Sequence, residues 1–515
     1  CIVQLSILPA NSWLNIKGTP DPVSSYSIWQ LSKRAFGMKL SLKLEPILSP
    51  KCDTYLGLSG RFAHMTMNYG LIRTVQVSNE NVPGVLGSLA TAIGGAGANI
   101  GNIQTMHISQ NHVLRDIDVY VENEDHLIDV LKAISGIQGV KVIETRDEVM
   151  DLHQGGKIQI VSRHPVDSVA MLRKIYTPGV AEVCRAILQE PILARRFTSI
   201  GNTVAIVTDG TAVLGLGNIG LHPSMPVMEG KAALLQQFAG VNGAPLLVEA
   251  ATVDQFVETV VRVAPTYSGI HLEDIASPWC FEIVEKLRRK LNIPVMQDDQ
   301  DGTAAVVLGA VMSALRATGK NLNEVTIGQI GLGAAGLSIS KLLMDASEKP
   351  VLGADLDEGC LVRHQALGGR QSTLDEVMAT ADVVIATTGV PGLIPEESVR
   401  NGQIIFALSN PDPEINPAAA IQAGAALAAD GTSVNNVLGY PGIWRGALGV
   451  HATSINREML IAASRALWQS TLPGELSPNP LDIGLHYRVA YEVGKAAVAT
   501  GVGDEDGLEQ LEPVV

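Results

Sequence analysis

Two pairs of adjacent acids stand where a short apolar run ends. Glu273-Asp274 follows the run from Gly269 to Leu272, and Asp298-Asp299 follows the run from Ile293 to Gln297. Such runs are typical of strands buried on both faces, and ligands of open α/β sheets bind at the carboxyl ends of the strands. Carboxylates converging there would need a cation, and oxygen ligands suit Mg²⁺ or Mn²⁺ better than zinc. The alternative is two solvated loop pairs, which is the commoner situation for adjacent acids.

The string Gly331-Leu-Gly-Ala-Ala-Gly336 has the spacing of a dinucleotide-binding loop. It follows an apolar run ending at Ile330 and opens an amphipathic helix, which is the context that the motif requires. The predicted cofactor-binding residues of the string are Gly331, Gly333, Ala334, Ala335 and Gly336.

Asp355 ends the next predicted strand, about 20 residues beyond these glycines, where an acid can accept hydrogen bonds from the adenosine ribose. Asp355 favours NAD over NADP, although Arg363 lies close enough in sequence to leave binding of a 2′-phosphate open.

A second string, Gly215-Leu-Gly-Asn-Ile-Gly220, has the same spacing without the same context. Pro223 and Pro226 follow it closely and argue against a helix starting there. We therefore predict that this string forms a tight loop beside the active site and does not bind the cofactor.

Tyr176 and Lys231 are the other side chains that could transfer a proton. Tyr176 precedes a turn that leads into a helix, and Lys231 is predicted to open a helix through Ala232, Leu234 and Phe238. Taken singly, a tyrosine near a turn usually packs and a lysine usually lies at the surface, so neither residue type decides the matter.

A small α+β unit is predicted between Leu71 and Arg146. Its alternating and helical periods follow the order βαββαβ, a ferredoxin-like arrangement. The turn Asn81-Val82-Pro83-Gly84, which opens the first helix, makes this unit resemble an ACT domain, a module that often binds an amino acid at a dimer interface. A dimerisation module without a ligand is the open alternative.

Bulk composition bounds the remaining choices. The 515 residues carry a net charge of −15, which disfavours nucleic acid as a partner. The longest apolar run, Thr303 to Leu315, is shorter than the roughly 20 residues of a membrane span. The five cysteines form no CxxC pair and no disulfide framework, so a cytoplasmic location is predicted.

The chain is predicted to divide into four segments. Residues 1–66 are read as a leader outside the fold, either a transit-type segment or a non-native extension before a true start at Met65 or Met67. The stretch from Asp147 to Lys157 is read as a linker. The predicted domains are the ACT-like unit over 67–148, an α/β catalytic domain over 149–300 and a Rossmann domain over 301–515, so the fold class is α/β, with two doubly wound domains after a small α+β domain.

Together these strings resemble the malic enzyme family in its shorter, bacterial form, from about Tyr176 to the C-terminal helices. The matching strings are Tyr176-Thr-Pro-Gly-Val180, Thr208-Asp-Gly-Thr-Ala-Val-Leu-Gly-Leu-Gly-Asn-Ile-Gly220, Val227-Met-Glu-Gly-Lys231, Leu272-Glu-Asp274, Asp298-Asp-Gln300, Gly302-Thr-Ala304, Phe406-Ala-Leu-Ser-Asn-Pro411 and Val434-Asn-Asn-Val437. The resemblance implies oxidation of L-malate by NAD or NADP, decarboxylation to pyruvate, and a homodimer or larger homo-oligomer.

The resemblance also assigns roles to residues. It implies that the divalent metal, Mg²⁺ or Mn²⁺, would be held by three acids, namely Glu273, Asp274 and Asp299. Three residues would be catalytic: Lys231 as the general base on the malate 2-hydroxyl, Asp298 as the group that orients it, and Tyr176 as the acid that protonates C3 of the enolate. The substrate carboxylate and part of the nicotinamide would be held by Asn410 and Asn436.

Two departures from the family pattern matter. Gln297 and Asp301 stand where such members usually have histidines, and Asp301 adds a negative charge beside the metal site. The segments from Leu343 to Asp382 and before Asn435 are also shorter than usual, which bears on cofactor choice and on the substrate lid. Two alternatives stay open: a malolactic-type enzyme that releases no NADH, and a catalytically silent relative that senses an amino acid.

Overall fold

The computed structural model describes residues 70–213 and 215–511. The predicted leader at 1–66 lies outside these residues. Across the described ranges, no helix combines the length and the apolar character that a membrane span requires.

The N-terminal unit has the predicted βαββαβ order. Its elements are β1 (Leu71–Glu80), α1 (Val85–Gly95), β2 (Asn99–Ile108), β3 (His112–Val121), α2 (Glu124–Ser135) and β4 (Val140–Arg146). The antiparallel sheet has the order β2-β3-β1-β4. Gly84 precedes α1 with a φ of 93°, a conformation that favours glycine. Val75, Val77, Leu89 and Ile93 are buried together between the sheet and its helices.

Four short helices follow: α3 (Glu148–His153), α4 (Val169–Ile175), α5 (Val180–Gln189) and α6 (Leu193–Phe197). The stretch predicted as a linker, from Asp147 to Lys157, contains the short helix α3, which is capped because the Asp147 side chain accepts a hydrogen bond from the Met150 amide. None of these four helices has a buried residue. We call residues 148–197 the N-terminal arm.

The next domain contains a parallel sheet of order β6-β5-β7-β8. Its elements are β5 (Thr203–Thr208), α7 (Leu221–Ala239), β6 (Asn242–Leu247), α8 (Val253–Val263), β7 (Gly269–Leu272), α9 (Trp279–Lys290) and β8 (Val295–Gln297). The residues of β7 and β8 are all buried, as the continuous apolar runs predict.

Helix α7 corrects two predictions. It begins at Leu221, directly after the first glycine-rich string, so Pro223 and Pro226 do not prevent a helix there, and Lys231 lies within the helix and does not open it. The first amides of a helix have no partner within it, so Pro223 removes no hydrogen bond. Pro226 removes one, and the burial of Met228 and Leu235 outweighs this loss.

The third domain contains a six-stranded parallel sheet of order β11-β10-β9-β12-β13-β14. Its elements are α10 (Thr303–Thr318), β9 (Ile327–Ile330), α11 (Ala334–Ser347), β10 (Leu352–Ala354), α12 (Glu358–Ala366), β11 (Arg370–Gln371), α13 (Leu374–Thr380), β12 (Val383–Ala386), β13 (Ile404–Ala407), α14 (Pro417–Gln422) and β14 (Leu427–Asp430). The strand order reverses between β9 and β12, as in doubly wound dinucleotide-binding folds.

Three C-terminal helices complete the chain: α15 (Tyr440–Gly449), α16 (Arg457–Ser470) and α17 (Ile483–Ala499). Tyr440 and Trp444 of α15 are fully buried in a core that also contains Met228 of α7. Gly269 of β7 leaves room for the Trp444 indole, because a Cβ there would lie 2.2 Å from the ring. The C-terminal helices therefore join the two α/β domains through one continuous core.

Candidate active site

The two acidic pairs lie side by side at one edge of the first parallel sheet. Strands β7 and β8 are neighbours, with Leu272 paired to Gln297, so the residues that follow them meet. Carboxylate oxygens of Glu273, Asp274 and Asp299 all lie within 4.8 Å of one another. The structure thus brings together the three acids that the sequence proposes as metal ligands.

Two of these carboxylates, those of Asp274 and Asp299, resist ionisation. Burial acts to raise the pKa of Glu273, but the facing Lys231 and the hydrogen bond from His271 lower it below its ordinary value. Burial raises the pKa of Asp274 to about 8, and the charges of Glu273 and Asp299 add to this effect. Burial, followed by the charges of Glu273 and Asp298, raises the pKa of Asp299 to about 7. Oδ2 of Asp274 is buried without a hydrogen-bond partner. A buried set of oxygen ligands with excess negative charge fits a divalent cation.

The backbone around the acids is held in a specific conformation. Asp274 has a φ of 55°, in the left-handed region that few non-glycine residues adopt. Its amide donates a 3.3 Å hydrogen bond to Oδ2 of Asp299, and its carbonyl accepts one of 3.0 Å from the amide of Ala212. Gln297 donates from Nε2 to the same Asp299 oxygen at 2.7 Å. Gln297 therefore orients one of the three candidate ligands.

Lys231 projects from α7 to the other side of the same cluster. Its Nζ donates to Oδ2 of Asp298 and lies 3.2 Å from Oε1 of Glu273. The same nitrogen lies 4.6 Å from the centroid of the Tyr440 ring. Burial acts to lower the pKa of Lys231, but the facing Asp298 and Glu273 carboxylates raise it well above its ordinary value.

The two asparagines lie in different surroundings. Asn436 donates from Nδ2 to Oδ2 of Asp298 at 2.6 Å, so it belongs to the Lys231 cluster. Asn410 follows β13, at the carboxyl edge of the second parallel sheet. The roles of both residues toward substrate and nicotinamide stay predictions.

Three residues of the cluster were not predicted as site residues: His271, Tyr440 and Trp444. Trp444 donates from Nε1 to Nδ1 of His271 at 3.0 Å, so the other ring nitrogen of His271 carries the proton and donates to Glu273 at 2.8 Å. His271 of β7 stands two residues before Glu273, and residues two apart along a strand point to the same face. This spacing is the sequence signal that could have placed His271 in the site. No local sequence signal links Tyr440 or Trp444 to this site, because α15 reaches it through tertiary packing alone.

A second group of possible ligand atoms, in His271, Glu273 and Asp298, is also close enough to hold a metal ion. His271 uses its protonated nitrogen to donate to Glu273, and Asp298 already accepts from Lys231 and Asn436. Each set keeps one buried oxygen without a partner, Oδ1 of Asp298 or Oδ2 of Asp274. The set of Glu273, Asp274 and Asp299 fits a cation better, because both ring nitrogens of His271 are already engaged, with Trp444 and Glu273.

Tyr176 does not join the cluster within one chain. The residue ends α4 in the N-terminal arm and is 68% exposed. No hydrogen bond joins its hydroxyl to any residue among those the structure describes. The predicted base Lys231 and the predicted acid Tyr176 can therefore act on one substrate only if a further contact brings them together.

The second glycine-rich string has the geometry of a dinucleotide-binding loop. It connects β9 to α11, and a Cβ on Gly336 would lie 1.9 Å from the Gly331 carbonyl oxygen, so only glycine fits there. A Cβ on Gly333 would meet no atom within 4 Å, which leaves the start of α11 open for a phosphate. Asp355 follows β10 and accepts the Leu332 amide at 2.6 Å.

The first glycine-rich string forms a loop next to the acids, and the expectation that it does not bind the cofactor stays a prediction. The Gly220 amide donates to the Gly210 carbonyl at 3.1 Å, and Val213 pairs with Gly217. Just before the string, the Thr211 hydroxyl donates to Oδ1 of Asp209 at 2.6 Å and accepts the amide of Ala276, just beyond Asp274, at 2.9 Å. The loop thus lies beside the carboxylate cluster.

Asp301 is neutralised in the structure. Its Oδ2 accepts a 2.6 Å hydrogen bond from Arg288 and one of 3.2 Å from the Gln297 amide. The extra negative charge that the sequence places beside the metal site is therefore paired with a guanidinium.

A carboxylate cluster with a lysine, beside a domain with a dinucleotide-binding loop, defines a nicotinamide-dependent enzyme. Family models agree along the chain: residues 71–144 match the ACT domain, residues 155–252 and 248–288 the malic enzyme N-terminal domain, and residues 300–360 the malic enzyme NAD binding domain.

Individual relatives agree as well. NAD-dependent malic enzyme 1 of Bacillus subtilis (strain 168) is 52% identical over 430 residues, which cover 83% of this chain and 98% of the relative. The bifunctional malic/malolactic enzyme of the same organism is 41% identical, covering 69% and 94%. A solved malic enzyme from Pyrococcus horikoshii Ot3 has a TM-score of 0.67 and 38% identity, covering 71% of this chain and 94% of that one. The chain belongs to the malic enzyme family.

Proposed function

We propose that the chain converts L-malate to pyruvate and CO₂ with reduction of NAD, in a reaction that depends on Mg²⁺ or Mn²⁺. The observation that carries the proposal is the cluster in which Lys231 faces Glu273 and Asp298 while Asp274 and Asp299 complete a set of oxygen ligands. The similarity to NAD-dependent malic enzymes supports the substrate and the cofactor.

A metal ion held by Glu273, Asp274 and Asp299 would act as a Lewis acid on the oxygen that becomes the enolate. The residues of the chain position the substrate beside it. Asn436 and Asn410 would hold the substrate carboxylate and the nicotinamide amide, and Gln297 would keep Asp299 turned toward the ligand site.

Lys231 would take the proton from the malate 2-hydroxyl while hydride leaves C2. In the structure Asp298 and Glu273 favour its charged form, and a neutral amine is needed for this step. A divalent cation held beside those carboxylates would offset their effect and would lower the pKa of Lys231 toward neutrality. Asp298, which accepts from both Lys231 and Asn436, holds the amine in place.

The acid for C3 would come from Tyr176 of a second copy of this chain. The N-terminal arm exposes many apolar side chains: Val149, Met150, Leu152, Ile160, Val161, Val166, Val169, Leu172, Ile175, Val183, Leu188, Ile192 and Phe197. A contiguous exposed apolar segment marks a protein interface. We therefore propose a homodimer in which the arms cover one another and bring Tyr176 to the partner's cluster.

The ACT domain supports a regulatory ligand, for which we propose an amino acid. The turn at Asn81–Gly84, with Gly84 in a left-handed conformation, exposes backbone amides before α1. Such turns hold amino-acid carboxylates without requiring a charged side chain.

NAD is the proposed cofactor because Asp355 stands where a 2′-phosphate would be repelled. We propose a cytoplasmic location, because the five cysteines form no CxxC pair and no disulfide framework. A malolactic reaction is the second candidate, because one relative is named a bifunctional malic/malolactic enzyme.

An assay of the full chain with malate and Mn²⁺ separates the two candidates. We expect net NADH formation matched by pyruvate, faster with NAD than with NADP, and lost when the metal is removed by a chelator. Lactate formation without net NADH would establish the malolactic reaction, and no consumption of malate under any condition would contradict both.

A further inference from the structure

A cavity of about 740 Å³ lies between α9, α11, α12 and α16. It contains none of the glycines of the 331–336 loop, neither Asp355 nor any of the three candidate metal ligands. It does reach Gln300 and Asp301, which directly follow the ligand Asp299. The cavity thus contains no residue of the 331–336 loop, although Leu337 of its wall directly follows Gly336, and it borders the metal site.

The cavity wall carries excess positive charge. Four cations line it, namely Arg288, Lys341, Arg363 and Arg457, against three acids, namely Asp301, Asp345 and Glu458. Three of these cations have a carboxylate oxygen within 4.0 Å, namely Arg288, Lys341 and Arg457. Arg363 differs, because no carboxylate oxygen of the described residues lies within 4.0 Å of its guanidinium.

Arg363 is placed for a ligand. Its guanidinium lies 5.7 Å above the Phe281 ring and donates to the Cys360 sulfur at 3.0 Å, a weak acceptor. Its Nε is buried without a partner. Phe281, Leu337, Ile455 and Leu460 supply apolar wall around it. An unpaired guanidinium in a partly apolar cavity is a site for an organic anion.

We propose that this cavity binds a small organic anion, with a carboxylate or phosphoryl group on Arg363 and an apolar body against Phe281 and Leu337. The occupant is an effector, because the wall is linked to the metal ligands by direct contacts. Arg288 donates to Asp301, Asp301 accepts the Gln297 amide, and the Gln297 side chain holds Asp299.

The link sets the direction of the effect, and this step rests on the proposed metal site. An anion held by Arg363 lies in the cavity that Arg288 also lines, where it competes with Asp301 for the Arg288 guanidinium. The negative potential at Asp299 then rises, so a divalent cation binds more tightly. By thermodynamic reciprocity the cation also tightens anion binding.

The test uses phenyl phosphate and benzoate as probes of the two acid groups, titrated calorimetrically into the full chain saturated with NAD. We expect one site per chain for at least one probe. Arg363→Gln should weaken its binding roughly tenfold, the value of one charge-assisted hydrogen bond. Arg465→Gln, which removes an exposed cation of α16 outside the cavity, should change it less than about twofold.

Three results would overturn the site: saturable binding of neither probe, equal binding by Arg363→Gln and Arg465→Gln, or probe binding that occurs in the NAD-free chain and is lost in the NAD-saturated chain. If Arg363→Gln does not fold, Arg457→Gln takes its place, with a weaker but measurable loss expected.

The linkage is measured separately, by titrating Mn²⁺ with and without the probe and following its electron paramagnetic resonance signal. We expect the probe to raise Mn²⁺ affinity about fivefold in the wild type and not in Arg363→Gln. Unchanged affinity in the wild type refutes the effector role. Absence of any Mn²⁺ site contradicts the proposed function, whereas probe binding to Arg363 would still stand.

Discussion

Lys231 has an uncommon environment for a lysine: its side chain is only 12% exposed, and it faces two carboxylates. We predict that Lys231→Ala lowers kcat for malate oxidation by more than about 10³-fold, since removal of a general base typically costs 10² to 10⁴. NAD affinity should stay within about twofold, because the cofactor loop lies in the other domain. The assay is steady-state NADH formation together with NAD titration by fluorescence.

Lys290→Ala is the matched control for this variant, because it removes an exposed lysine at the end of α9. It should keep wild-type turnover. Near-normal kcat in Lys231→Ala would remove that residue from the role of base.

The raised pKa values of Asp274 and Asp299 predict how metal binding depends on pH. Both groups carry protons at pH 6 in the metal-free protein, with pKa values of about 8 and about 7, and must lose them to bind a cation. Mn²⁺ affinity should therefore rise at least roughly tenfold from pH 6 to pH 8 and level off above that. Calorimetry in two buffers of different ionisation enthalpy measures the released protons.

Asp299→Asn also tests whether ionisation of Asp299 controls metal binding, because it removes the ionisable group. The amide carries no charge, so Mn²⁺ affinity should fall strongly and its dependence on pH near 7 should weaken. Equal affinity at pH 6 and pH 8 in the wild type, or unchanged affinity in the variant, would remove Asp299 from the ligand set.

At the scale of elements, Gly333 just before α11 and Gly336 in its first turn have different tasks, which predicts different defects. A Cβ on Gly336 would lie 1.9 Å from the Gly331 carbonyl, so Gly336→Ala must displace the helix and should cost about 1–3 kcal/mol of stability. A Cβ on Gly333 meets nothing in the protein but points where a pyrophosphate would approach. Gly333→Ala should keep its melting temperature and lose NAD affinity.

Thermal unfolding and NAD titration of both variants check this contrast. A melting temperature several degrees lower is expected for Gly336→Ala alone. The interpretation fails if the two variants lose stability equally, or if Gly333→Ala binds NAD as the wild type does.

Local patterns predicted the strands beside the acids well, because burial on both faces leaves a continuous apolar run, as in β7 and β8. The acids could be located for the same reason, since residues that follow neighbouring parallel strands meet at one edge. Helix α7 could not be predicted from the sequence. The two prolines near its start argue locally against a helix, and only its packing in the core favours a helix through Pro226. The place of Tyr440 and Trp444 in the site could not be predicted either, because nothing near them in sequence indicates contact with Lys231 or His271.

At the scale of the whole molecule, the Lys231 cluster and Tyr176 belong to two different regions of one chain. The amine is buried among carboxylates, whereas the phenol is 68% exposed on an arm with no buried helix residue. A second copy that covers the arm resolves this separation, because burial of the exposed apolar side chains drives association and carries the phenol with it. The proposed active site is then shared between two chains.

Subunit exchange between two inactive variants decides whether the site is shared. Tyr176→Phe and Lys231→Ala should each lose nearly all malate oxidation. If each site takes its phenol from the partner, a mixed dimer has one site with both defects and one intact site. Random exchange of equal amounts makes half of the dimers mixed, so about a quarter of wild-type activity should return, by the symmetry of a twofold interface. If both groups act within one chain, every site keeps a defect, and the mixture stays as inactive as its components.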